Sequence, residues 1–114
     1  MDTELEEQIE ALSDVDFSLP SDVEVAMDGL ASALLVKFRL KSKKLAWRTP
    51  SLFEVIDALV DKDKLSGRAS ELASEIRYLL KQVYDDELDE DDAGELEGLI
   101  EELKELLSKE LLGE

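Results

Sequence analysis

The inventory of reactive side chains in this sequence is short. The chain contains neither histidine nor cysteine, so imidazole bases, thiol nucleophiles and soft metal ligands are all missing. Its five glycines are scattered singly and form no phosphate-binding loop, and no serine lies in a nucleophile-elbow pattern. With 30 acidic residues in a chain of 114, two neighbouring carboxylates carry no catalytic meaning. We therefore expect no enzyme and no cofactor.

The densest run of carboxylates spans residues 85–92, where seven of the eight residues are acidic. A calcium loop of the EF-hand type that began at Asp89 would place Gly94 at the required sixth position. Ala93 would then stand at the fifth position, and Ile100 would stand where the motif needs a bidentate glutamate. We therefore expect no metal site, and we interpret residues 85–92 as an exposed acidic loop.

Basic side chains are concentrated in one stretch of the chain. Residues 29–53 hold six of the thirteen basic residues, the single tryptophan and no acid. Lysine and arginine side chains there could bind phosphates while the tryptophan stacks on a base, or they could dock onto an acidic protein. The candidate contact residues, which we call the basic segment, are Lys37, Arg39, Lys41, Lys43, Lys44, Trp47 and Arg48.

Three roles for the basic segment stay open on the sequence alone. Its charges could neutralise carboxylates on neighbouring elements, dock onto an acidic partner or a second copy, or contact nucleic acid. Internal neutralisation is the commonest role for a run of charge. The formal net charge of −17 repels a polyanion over long range, which disfavours nucleic acid.

Apolar periodicity predicts how these residues are positioned. Few glycines and prolines, together with apolar residues at helical spacing, predict an all-α fold. We expect a small bundle of four to five helices in a single domain, residues 1–114, with a mobile acidic segment at residues 1–20. The predicted helices cover about 2–12, 22–45, 50–61 and 68–84, with a last helix beginning at about 92.

Capping patterns predict two of the helix starts. Ser21 and Glu24 have capping-box spacing directly after Pro20, which predicts a helix start at about residue 22. Ser51 and Glu54 repeat that spacing after a Thr-Pro pair, which predicts a second start there.

The stretch 22–45 is the hardest to assign. A helix of this length would be apolar on two opposite sides and would therefore lie at the centre of the bundle. The alternative is a β-hairpin at about 36–48, because apolar and basic residues alternate from Val36 to Lys41. The turn of such a hairpin would lack Gly, Asn and Asp, so the helix is favoured.

The last helix carries a stripe of leucines. Leu96, Leu99, Leu103 and Leu106 keep the spacing of a coiled-coil seam and could pair with a second copy, although two heptads are few. The longest nearly apolar run, residues 30–36, is too short to span a bilayer. The acidic N-terminus is unlike a signal peptide, so we expect a cytoplasmic protein that does not enter membranes.

These observations favour a non-enzymatic, acidic protein–protein interaction module, which could be an adaptor, a regulator or a small subunit of a larger assembly. One alternative is nucleic-acid contact through the basic segment, as a minor subunit of a nucleoprotein complex. Another is an acidic mimic of nucleic acid that inhibits a basic partner. The acidity could also reflect adaptation to high salt or serve solubility.

Overall fold

A computed structural model describes residues 3–39, 51–81 and 88–113, and these ranges form five α-helices. In chain order they are α1 (Thr3–Ala11), α2 (Pro20–Phe38), α3 (Leu52–Asp61), α4 (Gly67–Lys81) and α5 (Glu90–Leu111). The described ranges contain no β-strand. The all-α bundle predicted from the sequence is confirmed.

The main helix contacts form a closed ring. Each helix packs against the next one in the chain, from α1 to α5, and α5 packs back against α1. The prediction that the helix beginning near residue 22 lies at the centre of the bundle is therefore wrong. Although α2 does lie between α1 and α3, its outer side is open, with Val25 and Val36 72% and 76% exposed.

The end of α2 contradicts the predicted helix to residue 45 and the predicted start of the alternative hairpin. Arg39 adopts a left-handed backbone conformation (φ 49°, ψ 46°), and its N–H donates to the carbonyl oxygens of Leu35 and Val36. This conformation closes the helix, which does not continue to residue 45. Residues 36–38 are helical, so no hairpin begins at Val36. The remainder of the predicted hairpin, residues 40–48, lies outside the described residues.

The helix starts agree with the sequence at α3 but not at α2. The Ser51 hydroxyl accepts the Glu54 N–H at 3.3 Å, and the Glu54 carboxylate accepts the Ser51 N–H at 3.1 Å, which confirms the predicted capping box. Helix α2 begins at Pro20 and has no side-chain cap. Because proline already has the backbone angle of a first helical residue, the helix starts before Ser21 can serve as its cap.

Helix α5 begins inside the predicted acidic loop. The Asp89 carboxylate accepts the Asp92 N–H at 2.8 Å, and Glu90 to Asp92 form the first turn of the helix. Acidic side chains are favourable there because the N-terminus of a helix carries partial positive charge. Just before it, the N–H of the buried Leu88 donates to the Ser18 carbonyl at 2.8 Å. Residues 82–87 lie outside the described part of the chain.

The core is wholly apolar. All 24 buried side chains in the described part belong to apolar residues, and they form one cluster. The N-terminal segment contributes Leu5, Ile9 and Leu12 to this cluster; its predicted mobility stays a prediction. Within the described ranges, none of the helices is long and apolar enough to cross a bilayer.

Helix α3 ends in a Schellman motif built on an unusual residue. The Lys64 N–H donates to the Leu59 carbonyl at 2.9 Å, and the Asp63 N–H donates to the Val60 carbonyl at 3.1 Å. This pair of bonds requires a residue in the left-handed conformation just after the helix. Asp63 adopts that conformation with φ 59°. Glycine adopts this conformation at the lowest steric cost.

Glycine at position 63 should therefore give a more stable protein than alanine at the same position. We expect Asp63→Gly to raise the free energy of unfolding by about 0.5–1 kcal/mol relative to Asp63→Ala. Both variants remove the same charge, so their difference isolates the backbone conformation. Urea denaturation followed by circular dichroism measures it, and equal stabilities for the two variants would contradict this account of the helix end.

Candidate functional site

The structure describes two residues of the basic segment. Lys37 and Arg39 are both exposed at the C-terminal end of α2. The Lys37 amine lies 5.8 Å from the centre of the Phe38 ring, within reach of a cation–π contact. The other five members, Lys41, Lys43, Lys44, Trp47 and Arg48, lie outside the described residues. The role of the basic segment in contact with a partner stays a prediction.

The leucine stripe of α5 faces the chain's own core. Leu96 and Leu103 are buried, with 0% and 2% of their surface exposed. Leu99 and Leu106 are partly buried and pack against the same core. Only this second pair could contribute to an association surface without opening the fold, so pairing of two copies through α5 stays a prediction with a smaller surface than the sequence indicated.

The charge of the described residues is divided unequally between two parts of the ring. One part, which we call the acidic half, consists of α1, the turn after it and α5 (residues 3–19 and 88–113). It holds sixteen carboxylates against Lys104 and Lys109, a formal charge of −14. The other half, α2 to α4 (residues 20–39 and 51–81), holds nine carboxylates against seven bases, a formal charge of −2.

Ring closure creates this acidic half. Its two helices come from opposite ends of the chain and become neighbours because α5 packs against α1. The sequence does contain a signal, since residues 3–19 include six acids and no base. The order of charges along the chain does not by itself show that the two acidic ends share one surface.

A partly buried hydrogen-bond network joins the two acidic helices. The Lys104 amine lies 3.2 Å from a Glu10 carboxylate oxygen and donates to the Ser13 hydroxyl at 2.7 Å. The Ser13 hydroxyl in turn donates to Glu101 at 2.9 Å. Only 18% of the Lys104 side chain is exposed. One of the two lysines in the acidic half is therefore engaged in holding α1 against α5.

A second set of charged contacts joins α5 to α4. The Arg68 guanidinium donates to both carboxylate oxygens of Glu102, at 2.9 and 3.0 Å, and to Glu71 at 3.1 Å. These carboxylates, Glu102 foremost, raise the pKa of Arg68 above its ordinary value. The Ser66 N–H also donates to the Glu110 carboxylate at 2.8 Å. Helix α5 is thus fixed on both of its sides.

The outer side of α5 combines exposed acids with two exposed glycines. Glu97 and Glu105 are exposed, and Gly94 and Gly98 are one helical turn apart on the solvent side. A Cβ atom added at either glycine would meet nothing within 4 Å. The fold itself therefore does not require glycine at these positions, and no other side chain lies close to the helix there.

The local chemistry of the acidic half is that of solvated carboxylates. The Ser18 hydroxyl and the Ser18 N–H donate to Asp16 at 2.6 and 3.0 Å, and these bonds lower the pKa of Asp16. Among the described residues, no group of three or more acids is arranged to hold a metal ion. What this surface offers is a set of exposed acceptors for ammonium and guanidinium groups.

Removal of the Lys104 amine should weaken the contact between α1 and α5. We expect Lys104→Met to lower the free energy of unfolding by about 1–2 kcal/mol, because Glu10 and Ser13 lose a shared charged partner. The matched control is Lys109→Met, which removes the same charge from an exposed position on the same helix. We expect this control to cost about 0.5 kcal/mol or less at about 0.15 M salt.

Urea denaturation of both variants supplies the comparison. A loss for Lys104→Met no larger than that for Lys109→Met would show that the network does not hold the two acidic helices together.

Comparison with protein-family models, curated proteins and solved structures finds no match for this chain. The function therefore has to be argued from the chain's own residues, and the unequal division of charge between the two halves is the most specific feature that they offer.

Proposed function

We propose that this protein is a non-enzymatic protein–protein interaction module whose acidic half binds a partner with a basic surface. The observation that carries the proposal is the division of charge, −14 on the acidic half against −2 on α2 to α4. A charge placed on one side attracts and orients a basic partner during diffusional encounter. The same field repels nucleic acid and anionic membrane surfaces from that side.

The contacts of the acidic half support this proposal. Lys104 joins α5 to α1 and Arg68 joins it to α4, so its outward carboxylates stand on a helix that is packed on two sides. Glu97 and Glu105 are exposed on it, where arginine side chains of a partner could bind them in bidentate fashion. The open space at Gly94 and Gly98 would allow a partner's side chains to approach the helix closely.

A role as an adaptor, a regulator or a small subunit of a larger assembly fits such a module. A cytoplasmic location fits as well, since a chain without cysteine depends on no disulfide and loses nothing under reducing conditions.

Mimicry of nucleic acid is the second candidate, and the charge density of α5 favours it. The helix carries nine carboxylates over 22 residues. At about 1.5 Å per residue the helix is about 33 Å long, with about one carboxylate per 3.7 Å. One strand of duplex DNA carries a phosphate about every 3.4 Å. A partner that binds nucleic acid could therefore accept α5 in its place. Within the described part of the chain, direct nucleic-acid contact through the basic segment has no comparable observation in its favour.

The test must separate the effect of where the charges lie from the effect of the net charge. An acidic-half variant, Glu7→Gln/Glu97→Gln/Glu105→Gln, removes three exposed carboxylates from α1 and α5. A control variant, Asp28→Asn/Asp61→Asn/Glu75→Gln, removes three exposed carboxylates from α2, α3 and α4. Both variants have the same net charge, so a difference between them reports location alone.

We expect the acidic-half variant to bind a fluorescent arginine-rich peptide about five- to tenfold more weakly than the wild type, with a smaller loss for the control variant. Fluorescence anisotropy at about 0.15 M salt measures both affinities. Equal losses would contradict the proposal, because they would reflect net charge only. If the wild type also displaces duplex DNA from a basic DNA-binding domain and the acidic-half variant does not, mimicry is supported.

A further inference from the structure

The outer face of α2 is an exposed helix surface in the near-neutral half of the ring. Val25 and Val36 are two of the three large apolar side chains that are exposed in the described part of the chain. With the exposed Ser32 they follow helical spacing of seven and four residues, so the three lie along one side of the helix. We call this set the α2 outer face. The two valines are about 16 Å apart along the helix axis.

Charge is ordered along the same helix. Its N-terminal part carries Asp22, Glu24 and Asp28, and its C-terminal end carries Lys37 and Arg39. All five side chains are exposed. Acid at one end and base at the other makes the helix complementary to a copy of itself that runs in the opposite direction.

We propose that two copies of this chain associate through the α2 outer face, antiparallel and related by a two-fold axis that passes between Leu30 and Ala31. A two-fold interface uses the same patch on both subunits, so every contact occurs twice. With the axis at this position, Val25 of one copy faces Val36 of the second copy. Ser32 of each copy lies near the axis, and the neighbouring Gly29 is partly covered by the Gln8 side chain of α1, whose Oε1 an added Cβ would meet at 2.6 Å.

The charged residues fall into register in the same arrangement. Glu24 lies within one helical turn of Arg39 of the second copy, on one flank of the helix pair. Asp22 lies within one turn of Lys37 of the second copy, on the other flank. In an antiparallel pair, each flank of one helix lies beside the same flank of the other helix. A single alignment therefore brings together both acid–base pairs and both valine pairs.

A second copy fits this surface better than an acidic or a basic partner of another kind. A uniformly charged partner would be attracted at one end of α2 and repelled at the other. Association through α2 also keeps the two acidic halves, −14 each in the described residues, away from the interface. The dimer would then present two acidic surfaces to the solvent. This inference does not depend on the function proposed for the acidic half.

Cross-linking tests the predicted alignment directly, because the natural chain has no cysteine. Val25→Cys and Val36→Cys proteins are oxidised separately and as an equal mixture. A disulfide needs Cα atoms about 4.4–6.8 Å apart. The alignment brings residue 25 of one copy close to residue 36 of the other and keeps like positions about 16 Å apart. We expect the mixture to give at least about fivefold more disulfide-linked dimer than either protein alone.

The control for random collision is Tyr78→Cys, which places a thiol at the third exposed large apolar position, on α4. Its mixture with Val25→Cys should give only the background yield. If the Val25→Cys and Val36→Cys mixture gives no more than this background, or if each variant cross-links equally well alone, the proposed antiparallel dimer is overturned.

Charge exchange provides an independent readout by sedimentation equilibrium. An interface formed by one helix face is small and is therefore expected to be weak, with a Kd of about 10⁻⁵ to 10⁻⁴ M. Glu24→Arg and Arg39→Glu should each weaken association about three- to tenfold, and the double variant should restore it. Within one chain these residues are about 22 Å apart, so restoration would report contact between copies. A double variant as weak as the single ones, or a wild type that stays monomeric at about 1 mM, would overturn the proposal. Circular dichroism confirms that each variant folds.

Discussion

Burial of apolar side chains holds this fold together against the mutual repulsion of its own carboxylates. The 24 buried side chains in the described part are all apolar, and no polar side chain is buried among them. The surface around them belongs to a chain with a net charge of −17. Closure of the ring brings its two most acidic helices, α1 and α5, side by side. Lys104 on α5 contacts α1, and Arg68 on α4 contacts α5, so the two contacts lie on different sides of α5. Lys104 lies between the two acidic helices, where it offsets part of their repulsion.

The placement of charge around this apolar core divides the surface into a strongly acidic part and a near-neutral part. Because Lys104 is engaged between α1 and α5, the described residues of the acidic half present many carboxylates and one exposed base, Lys109, whereas α2 to α4 present acids and bases in near balance. A one-sided charge is suited to attraction of a basic partner, and a near-neutral surface with exposed valines is suited to association without that repulsion. The two surfaces could therefore work at the same time, since neither uses the residues of the other.

Local rules predicted the helices well where a short sequence pattern determines the structure. The Ser51 capping box and the end of α3 at Asp61 followed from the sequence. The end of α2 did not, because Arg39 adopts a left-handed conformation for which glycine is the usual signal. The start of α5 was placed too late because a run of acids was interpreted as a loop, although the helix dipole stabilises acids in a first turn. The acidic half could not be predicted from local patterns at all, since it depends on packing between α1 and α5. Most of the basic segment lies outside the described residues, so its role rests on sequence alone.

The central claim is that the contact surface lies on α1 and α5, and NMR mapping of the wild-type protein tests it most directly. Backbone amides would be assigned, and an unlabelled arginine-rich peptide would be added stepwise at about 0.15 M salt. The account predicts chemical-shift changes concentrated in α1 and the outer side of α5, around Glu7, Glu97 and Glu105, with α2 to α4 largely unchanged. Changes spread evenly over all five helices, or centred on α2 to α4, would contradict it.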